Sequence, residues 1–176
     1  MSSMVKAGNA LIEPAPRLVV MGVSGCGKST VGQMLASALK LPYVEGDELH
    51  PPRNIALMAA GTPLTDADRD AWLAAVAQAI NDAGERGIVI SCSALKRLYR
   101  DRLRQAARSL RFIHLHGTPE LLASRMTQRQ GHYMPASLLQ SQLLTLEVPG
   151  DDEEALSADI ALRPQDIVAS LYAKLQ

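Results

Sequence analysis

The sequence is poor in cysteine, in aromatic side chains and in long apolar runs. It contains two cysteines, Cys26 and Cys92, and aromatic residues make up only 3% of the chain. Two cysteines cannot form the multi-bridge framework of small secreted proteins, and no His/Cys spacing indicates a zinc site. No run of about 18 apolar residues could span a bilayer, and no basic start followed by an apolar region indicates secretion. We therefore expect a cytoplasmic protein.

The sequence also lacks a net charge. Lysine plus arginine and aspartate plus glutamate number 18 each. No overall positive field draws nucleic acid or an anionic membrane, so we expect neither as a partner. The length of 176 residues is typical of one domain. We predict a flexible N-terminal tail over residues 1–16, which are small and polar, and a single domain over residues 17–176.

Short apolar runs alternate with helical periodicity along the chain. Residues 17–21 form a β-branched run typical of a strand buried on both faces, and a glycine-rich stretch and an amphipathic helix follow it. Further strands are predicted at 41–45, 88–90, 112–115 and 158–161. Helices are predicted to begin near Thr65, Ser93, Thr118 and Gln165. This alternation predicts an α/β fold whose parallel sheet is covered by helices on both faces.

Residues 22–29 match the phosphate-binding pattern G-x-x-x-x-G-K-[ST] between a predicted strand and a predicted helix. The glycines let backbone N–H groups turn inward around phosphate oxygens, and the helix N-terminus adds a favourable dipole. Lys28 supplies charge at the β- and γ-phosphates, and the Ser29 hydroxyl can ligate Mg²⁺. The predicted ATP and Mg²⁺ site comprises Gly22, Val23, Ser24, Gly25, Cys26, Gly27, Lys28, Ser29 and Thr30.

The two cysteines have alternative interpretations. Cys26 precedes a helix N-terminus, which lowers a thiol pKa and could make it a redox or catalytic group. Its position in the pattern is variable, however, which favours a small filler. Cys92 follows an apolar strand and is expected to be a buried small hydrophobe.

Asp47 is the candidate acid for phosphoryl transfer. The chain lacks D-x-x-G and N-K-x-D, which argues strongly against a switch GTPase. The 88–90 strand runs into Ser91-Cys92 where a motor-type ATPase has aspartate. Asp47 follows the second strand, and the carboxyl ends of parallel strands face the ligand crevice. It would act as general base or orient an attacking hydroxyl. The alternative is a turn aspartate after Gly46.

Two pairs of basic residues lie at helical spacing. Arg125 and Arg129 share a helix face and could close over ATP to stabilise the migrating phosphoryl group, although a solvated face is the alternative. We place this lid at about residues 119–145. Lys96 and Arg100 share a face after the third predicted strand and could hold a substrate carboxylate.

From Leu18 nearly to the C-terminus these segments resemble the thermoresistant-type gluconate kinases. The likeness is carried by Gly46-Asp47 with His50-Pro51, by residues 63–69 with Trp72-Leu73, and by segments 92–96, 99–101, 131–134, 138–142 and 145–147. The resemblance implies ATP-dependent conversion of D-gluconate to 6-phospho-D-gluconate. It also implies a fold similar to nucleoside monophosphate kinases with a helical lid, and a homodimer.

The resemblance further implies roles for individual residues. Lys96 and Arg100 would engage the gluconate carboxylate while Asp47 receives the terminal hydroxyl. Lys28, Asp47 and Arg129 would be catalytic, and the nucleotide-side residues would be Arg125, Arg129 and Arg163. The further substrate-side residues would be Arg53, His132 and Gln142.

Two alternative functions stay open. A shikimate-type kinase would share the phosphate loop and the aspartate, but it is glycine-rich where this chain reads Ser91-Cys92-Ser93-Ala94. A nucleotide-binding regulatory module would lack transfer activity. Asp47 and the lid arginines argue against the second alternative.

Overall fold

The computed structural model describes residues 14–107, 109–128 and 137–176. Three short 3-10 turns, at Gly46–Leu49, Gly84–Arg86 and Asp151–Glu153, connect some of the elements. The strands and helices in these ranges are β1 Arg17–Met21, α1 Lys28–Leu39, β2 Tyr43–Glu45, α2 Pro52–Ala59, α3 Asp66–Ala83, β3 Ile88–Ser91, α4 Arg97–Ala106, β4 Leu110–His116, α5 Pro119–Gln128, α6 Ser137–Thr145, β5 Leu156–Asp159 and α7 Pro164–Leu175.

The described strands form one parallel sheet in the order β2-β3-β1-β4-β5. The central strand β1 pairs Val19 with Ile90 of β3 and with Phe112 of β4. Successive β1 side chains point to opposite faces, and each face is buried by helices. The predicted α/β architecture is therefore confirmed.

Two hydrophobic cores lie on the two faces of the sheet. Leu18 and Val20 pack with residues of α1 and α7 in one core. Val19 and Met21 pack with residues of α3 and α4 in the other. These four apolar side chains of β1 are fully buried, and burying a side chain of this size contributes about 1.5–3 kcal/mol. β1 is thus held rigidly beneath the loop that follows it.

Several element boundaries differ from prediction. β2 begins at Tyr43 rather than at residue 41, because Lys40 adopts φ 57 and Leu41 N–H closes α1 by donating to Ala36 O at 2.9 Å. The prediction that Ser93 caps a helix is wrong. Ala94 has a positive φ of 45°, which a right-handed helix does not allow, so α4 begins only at Arg97. None of the described helices has the length and apolarity needed to cross a membrane.

Candidate active site

The phosphate-binding loop joins β1 to α1 at the carboxyl edge of the sheet. Gly22, Gly25 and Gly27 have φ values of 145°, 84° and 90°. A Cβ atom on Gly22 would lie 2.6 Å from the Leu115 carbonyl oxygen, so only glycine fits there. No described side chain caps α1, and phosphate oxygens would satisfy its first N–H groups.

Lys28 is directed back over this loop. Its ammonium donates to the carbonyl oxygens of Gly22 at 3.0 Å and Val23 at 3.1 Å. The positive charge therefore lies above the loop, where a polyphosphate chain would sit. The position of Lys28 in the loop follows from the local sequence, because the loop is a short-range motif.

Glu45 forms a hydrogen-bonded network with the predicted magnesium ligand Ser29. Its Oε2 accepts from the Ser29 hydroxyl and lies 2.9 Å from the Tyr43 hydroxyl, and its Oε1 accepts from Ser91 at 2.6 Å. Burial raises the Glu45 pKa, but these hydrogen bonds outweigh it and leave the pKa below its ordinary value. An ionised carboxylate thus lies beside a hydroxyl, and both are oxygen ligands that Mg²⁺ prefers.

This pair fits a nucleotide-held magnesium ion. Within the described ranges no group of three or more His, Cys, Asp or Glu side chains could hold a metal by itself. Kinases usually hold Mg²⁺ through one or two protein oxygens together with substrate phosphates and water. Ser29 and Glu45 meet that smaller requirement.

Asp47 lies in the turn directly after β2, as predicted. It lines a small cavity of about 30 Å³ together with Lys28, His50, Arg69 and Gln142. A second cavity of about 40 Å³ shares Arg69 and Gln142 with the first. The side chains of Asp47, Lys28 and Arg69 therefore line the same cavity.

Gln142 of α6, within the range predicted as a lid, contacts the phosphate-binding loop. Its Oε1 accepts a hydrogen bond from Ser24 N–H at 2.7 Å. Gln142 was predicted on the substrate side, and it lines both small cavities. It therefore contacts both the phosphate loop and these two cavities, which we call the acceptor cavities.

Arg69 is a further candidate site residue that was not predicted from the sequence, and it lines both small cavities. α3 begins with a capping box in which Thr65 and Asp68 exchange hydrogen bonds at 3.1 and 2.9 Å. Arg69, in the first turn, donates to Leu64 O at 2.6 Å and to the Tyr99 hydroxyl at 3.3 Å. The available signal was a cation on the same helical face as the buried Trp72.

His50 and Trp72 form an aromatic wall of the acceptor cavity. The two rings stack with centroids 4.2 Å apart and an interplanar angle of 13°. Trp72 Nε1–H donates to Gly46 O at 2.9 Å, which fixes the turn that carries Asp47. Burial, followed by the charge of Arg69, lowers the His50 pKa to about 4. His50 is therefore neutral near pH 7.

A larger cavity of about 270 Å³ lies on the other side of the phosphate-binding loop. Arg125 lines it and donates to Ile160 O at 2.6 Å. Arg163 does not line it: its exposed side chain pairs with Asp166 at 2.8 Å. Apolar walls near a phosphate loop suit an adenine base. The lining residues are Gly25, Cys26, Gly27, Thr30, Val31, Arg125, Gln128, Leu162, Pro164 and Ile167.

The prediction that Arg100 faces the crevice is wrong. Its side chain is 0% exposed, and its guanidinium makes a bidentate pair with Glu153 at 2.7 and 2.9 Å. Nη1 donates to the carbonyl oxygens of Ala94 and Leu95 at 2.9 and 3.2 Å. Because Glu153 lies 53 residues away in sequence, local spacing could not reveal this partner.

Lys96 and Arg53 are also engaged elsewhere. Lys96 pairs with Asp66 at 2.9 Å, and Arg53 pairs with Asp68 at 2.5 Å. Neither lines the two acceptor cavities. The predicted residues Arg129 and His132 lie outside the described residues.

Both cysteines lie where the sequence favours small buried side chains. Cys26 and Cys92 are both buried and free. Burial raises the Cys92 pKa to about 12, so this thiol stays protonated and unreactive.

Comparisons with known proteins agree with this geometry. Residues 24–155 match the sequence model of the Shikimate kinase family. The chain is 48% identical over 162 residues to a gluconokinase of Gluconobacter oxydans (strain 621H), covering 90% of each chain. It is 44% identical over 159 residues to the thermoresistant gluconokinase of Escherichia coli (strain K12), covering 86% of this chain and 89% of that one.

Solved structures give the same result. The crystal structure of a gluconokinase from Sinorhizobium meliloti 1021 is similar with a TM-score of 0.84 and 50% identity, covering 91% of each chain. A shikimate kinase from Aquifex aeolicus vf5, at 14% identity and a TM-score of 0.61, shares the fold. The chain therefore belongs to the shikimate kinase family of phosphotransferases and, within it, to the gluconokinases.

Proposed function

We propose that this protein transfers the γ-phosphoryl group of ATP to the terminal hydroxyl of D-gluconate, giving 6-phospho-D-gluconate and ADP. The observation that carries the proposal is the convergence of Lys28, Asp47 and Arg69 on one cavity beside the phosphate loop. A phosphate site, an acid for a hydroxyl and a cation for a carboxylate match the three chemical parts of the reaction. Relatives called gluconokinases, 44–48% identical, support the acceptor.

On the nucleotide side, the loop N–H groups and Lys28 bind the phosphates, and the 270 Å³ cavity takes the adenine. Ser29 and Glu45 would hold Mg²⁺, which would neutralise phosphate charge when bound. Arg125 lines this cavity and contacts the nucleotide. Arg129 keeps its predicted role at the migrating phosphoryl group, and Arg163 is removed from the adenine contacts because it pairs with Asp166.

On the acceptor side, the Asp47 carboxylate accepts the hydrogen bond of the attacking hydroxyl and orients it towards the phosphoryl group. Arg69 replaces Arg100 as the proposed partner of the gluconate carboxylate, because a half-buried guanidinium held by Leu64 and Tyr99 is preoriented. Gln142 and His132 keep their predicted substrate contacts. Lys96 and Arg53 receive no substrate role.

We also infer a cytoplasmic homodimer. The reaction consumes ATP, and both cysteines are free, as expected in a reducing compartment. Three exposed apolar side chains, Leu98, Leu144 and Val148, flank the junction where Glu147 bonds the backbone of Leu95 and Arg97. Exposed apolar side chains of this size suit a subunit interface, and light scattering of the purified chain measures the mass directly.

A coupled ADP-release assay tests the proposed activity. We expect turnover with gluconate far above that with other sugar acids, shikimate or nucleoside monophosphates. Preference for shikimate would reassign the enzyme within its family, and no turnover with any acceptor would favour a binding module.

The Asp47→Asn variant tests the mechanism in the same assay. Turnover should fall by roughly 10²–10⁴-fold with ATP binding retained, since the substitution removes an acid–base group and keeps its shape. Glu48→Gln, an exposed acid in the same turn, is the matched control and should retain activity. A few-fold loss for Asp47→Asn would contradict a role in the chemistry.

A further inference from the structure

The His50 imidazole is a polar group of the acceptor cavity that the proposed reaction does not use. The residue is 8% exposed and lines the cavity that holds Asp47 and Arg69. One ring face is covered by Trp72. A buried polar ring held this firmly is suited to presenting one edge in a fixed direction.

The hydrogen-bond partners of Asn54 determine which ring nitrogen carries the hydrogen. Asn54 Nδ2 lies 2.8 Å from the Asp68 carbonyl oxygen, which can only accept, so the amide orientation is fixed. The same nitrogen lies 3.2 Å from His50 Nδ1. Because an amide nitrogen can only donate, Nδ1 must accept, and the neutral ring carries its hydrogen on Nε2.

Trp72 holds this donor in a fixed relation to Asp47. Its ring face supports His50, while its Nε1–H binds Gly46 O in the turn that carries Asp47. Asp47 can accept a hydrogen bond, and His50 can donate one. An alcohol is the ligand group that donates and accepts through one oxygen, so this pair suits a hydroxyl better than a carboxylate.

We propose that His50 Nε2–H donates a hydrogen bond to a hydroxyl oxygen of the sugar-acid chain and thereby selects polyhydroxylated acceptors. The inference rests on the proposed function and adds a specificity-determining residue to it. A neutral donor recognises an alcohol without attracting a competing anion, so Arg69 remains free to select the carboxylate. Asn54 is a positioning residue that acts through His50.

The test compares the wild type, His50→Phe and His50→Gln with gluconate and its monodeoxy analogues. His50→Phe keeps a flat ring against Trp72 and removes the donor, so the KM for gluconate should rise about 3- to 10-fold, the range for one neutral hydrogen bond, with the KM for ATP unchanged. His50→Gln places an amide donor near the Nε2 position and should recover much of the loss.

The deoxy analogues identify the partner hydroxyl. For the wild type, removal of that hydroxyl should raise the dissociation constant of the sugar acid by the same factor as His50→Phe raises that of gluconate, and the variant should show no further loss with that analogue. Because binding is measured without turnover, the comparison holds even for the analogue that lacks the attacking hydroxyl. Equal additional losses in both proteins for every analogue would overturn the inference. Absence of gluconate turnover by the wild type would instead overturn the proposed function, and this inference with it.

A measurement on the unmodified protein covers the case in which His50→Phe does not fold. Long-range ¹⁵N–¹H spectra of the wild type should show His50 protonated at Nε2, with that signal shifted by gluconate and not by the penalised deoxy analogue. A ring protonated at Nδ1, or a signal that gluconate leaves unchanged, would overturn the inference.

Discussion

Two cations of this protein, Arg69 and Arg100, differ in function because they face different groups. Arg100 is fully buried against Glu153, whose pKa falls to about 2, chiefly through its hydrogen bond from Arg100. Arg69 is half-buried, and its backbone and tyrosine partners leave charge directed at the acceptor cavity. The same residue type is therefore structural in one place and available to a ligand in the other.

Alanine substitutions should separate the two roles. Arg100→Ala leaves a buried carboxylate short of its main partner and should lower the free energy of unfolding by about 3–5 kcal/mol. Arg69→Ala should raise the KM for gluconate about 10-fold or more, as expected for a charge-assisted hydrogen bond of ~1.5–3 kcal/mol, with a much smaller stability change. Urea unfolding and steady-state kinetics measure both.

Exposed ion pairs provide the matched controls for these two variants. Lys96→Ala and Arg102→Ala break pairs with Asp66 and Asp70, and each should change stability by no more than about 1 kcal/mol. If Lys96→Ala and Arg100→Ala both raised the KM for gluconate without loss of stability, the original carboxylate assignment would be restored.

At the scale of elements, local chemistry made most of the sheet predictable. β1 and the Thr65 cap were correct because apolar runs and capping residues act over a few positions. α2 was not predicted, since its inward side chains Asn54 and Met58 give only a short stripe over eight residues. Its partner Leu138 lies far along the chain.

The candidate site divides in the same way. The positions of Lys28 and Asp47 follow from local sequence, since Lys28 belongs to the phosphate-loop motif and Asp47 lies two residues after β2. Arg69 and His50 were not assigned roles, since their importance depends on which elements pack together around the cavity. The burial of Arg100 depends on Glu153, which no local pattern links to it.

Gly46 follows β2 directly and packs against the backbone of Ser91 at the end of β3. A Cβ there would overlap with the Ser91 carbonyl oxygen, and Gly46 O also accepts from Trp72. We expect Gly46→Ala to lower the free energy of unfolding by about 1–3 kcal/mol and to displace Asp47, so that turnover falls as well.

Gly84 provides the comparison for this variant. It ends α3 with φ 54°, and no atom lies near a Cβ placed there. Gly84→Ala should therefore destabilise by about 1 kcal/mol through backbone strain and leave turnover unchanged. Unfolding curves and initial rates of the two variants give the measurement, and full activity in Gly46→Ala would contradict the argument.

In the molecule as a whole, the candidate site residues lie along one edge of the sheet. The phosphate loop follows β1, Asp47 follows β2, and Ser93, another cavity-lining residue, follows β3. Parallel strands bring their carboxyl ends to a common edge, which is where open α/β sheets bind ligands. The two cores behind that edge keep these groups in register.

Stability should depend on pH through two buried histidines. Burial lowers the pKa of His50 and His114 from 6.5 to about 4 each; Arg69 adds to the effect at His50, and His116 and Arg100 add to it at His114. Between these pKa values the two imidazoles bind protons in the unfolded chain but stay neutral in the folded chain. The free energy of unfolding should therefore fall as pH drops from about 6.5 towards 4, by up to ~1.4 kcal/mol per pH unit for each histidine.

Urea unfolding over that pH range provides the check. The slope should be roughly halved in His114→Leu, which removes one of the two groups, and glutamates contribute little until the pH approaches their ordinary pKa of about 4.5. A stability that stays constant between about pH 6.5 and 5 would contradict the assignment of both rings as neutral.

The hydrogen bond between Gln142 and Ser24 N–H should couple the binding of the two substrates. That N–H is one that a nucleotide phosphate would take, and Gln142 also borders the sugar-acid space. We expect phosphate binding to release the Gln142 amide from this bond, and reciprocity would then require each substrate to change the other's dissociation constant by one shared factor. Titrations of ADP with and without gluconate should reveal that factor, and Gln142→Leu should bring it close to one.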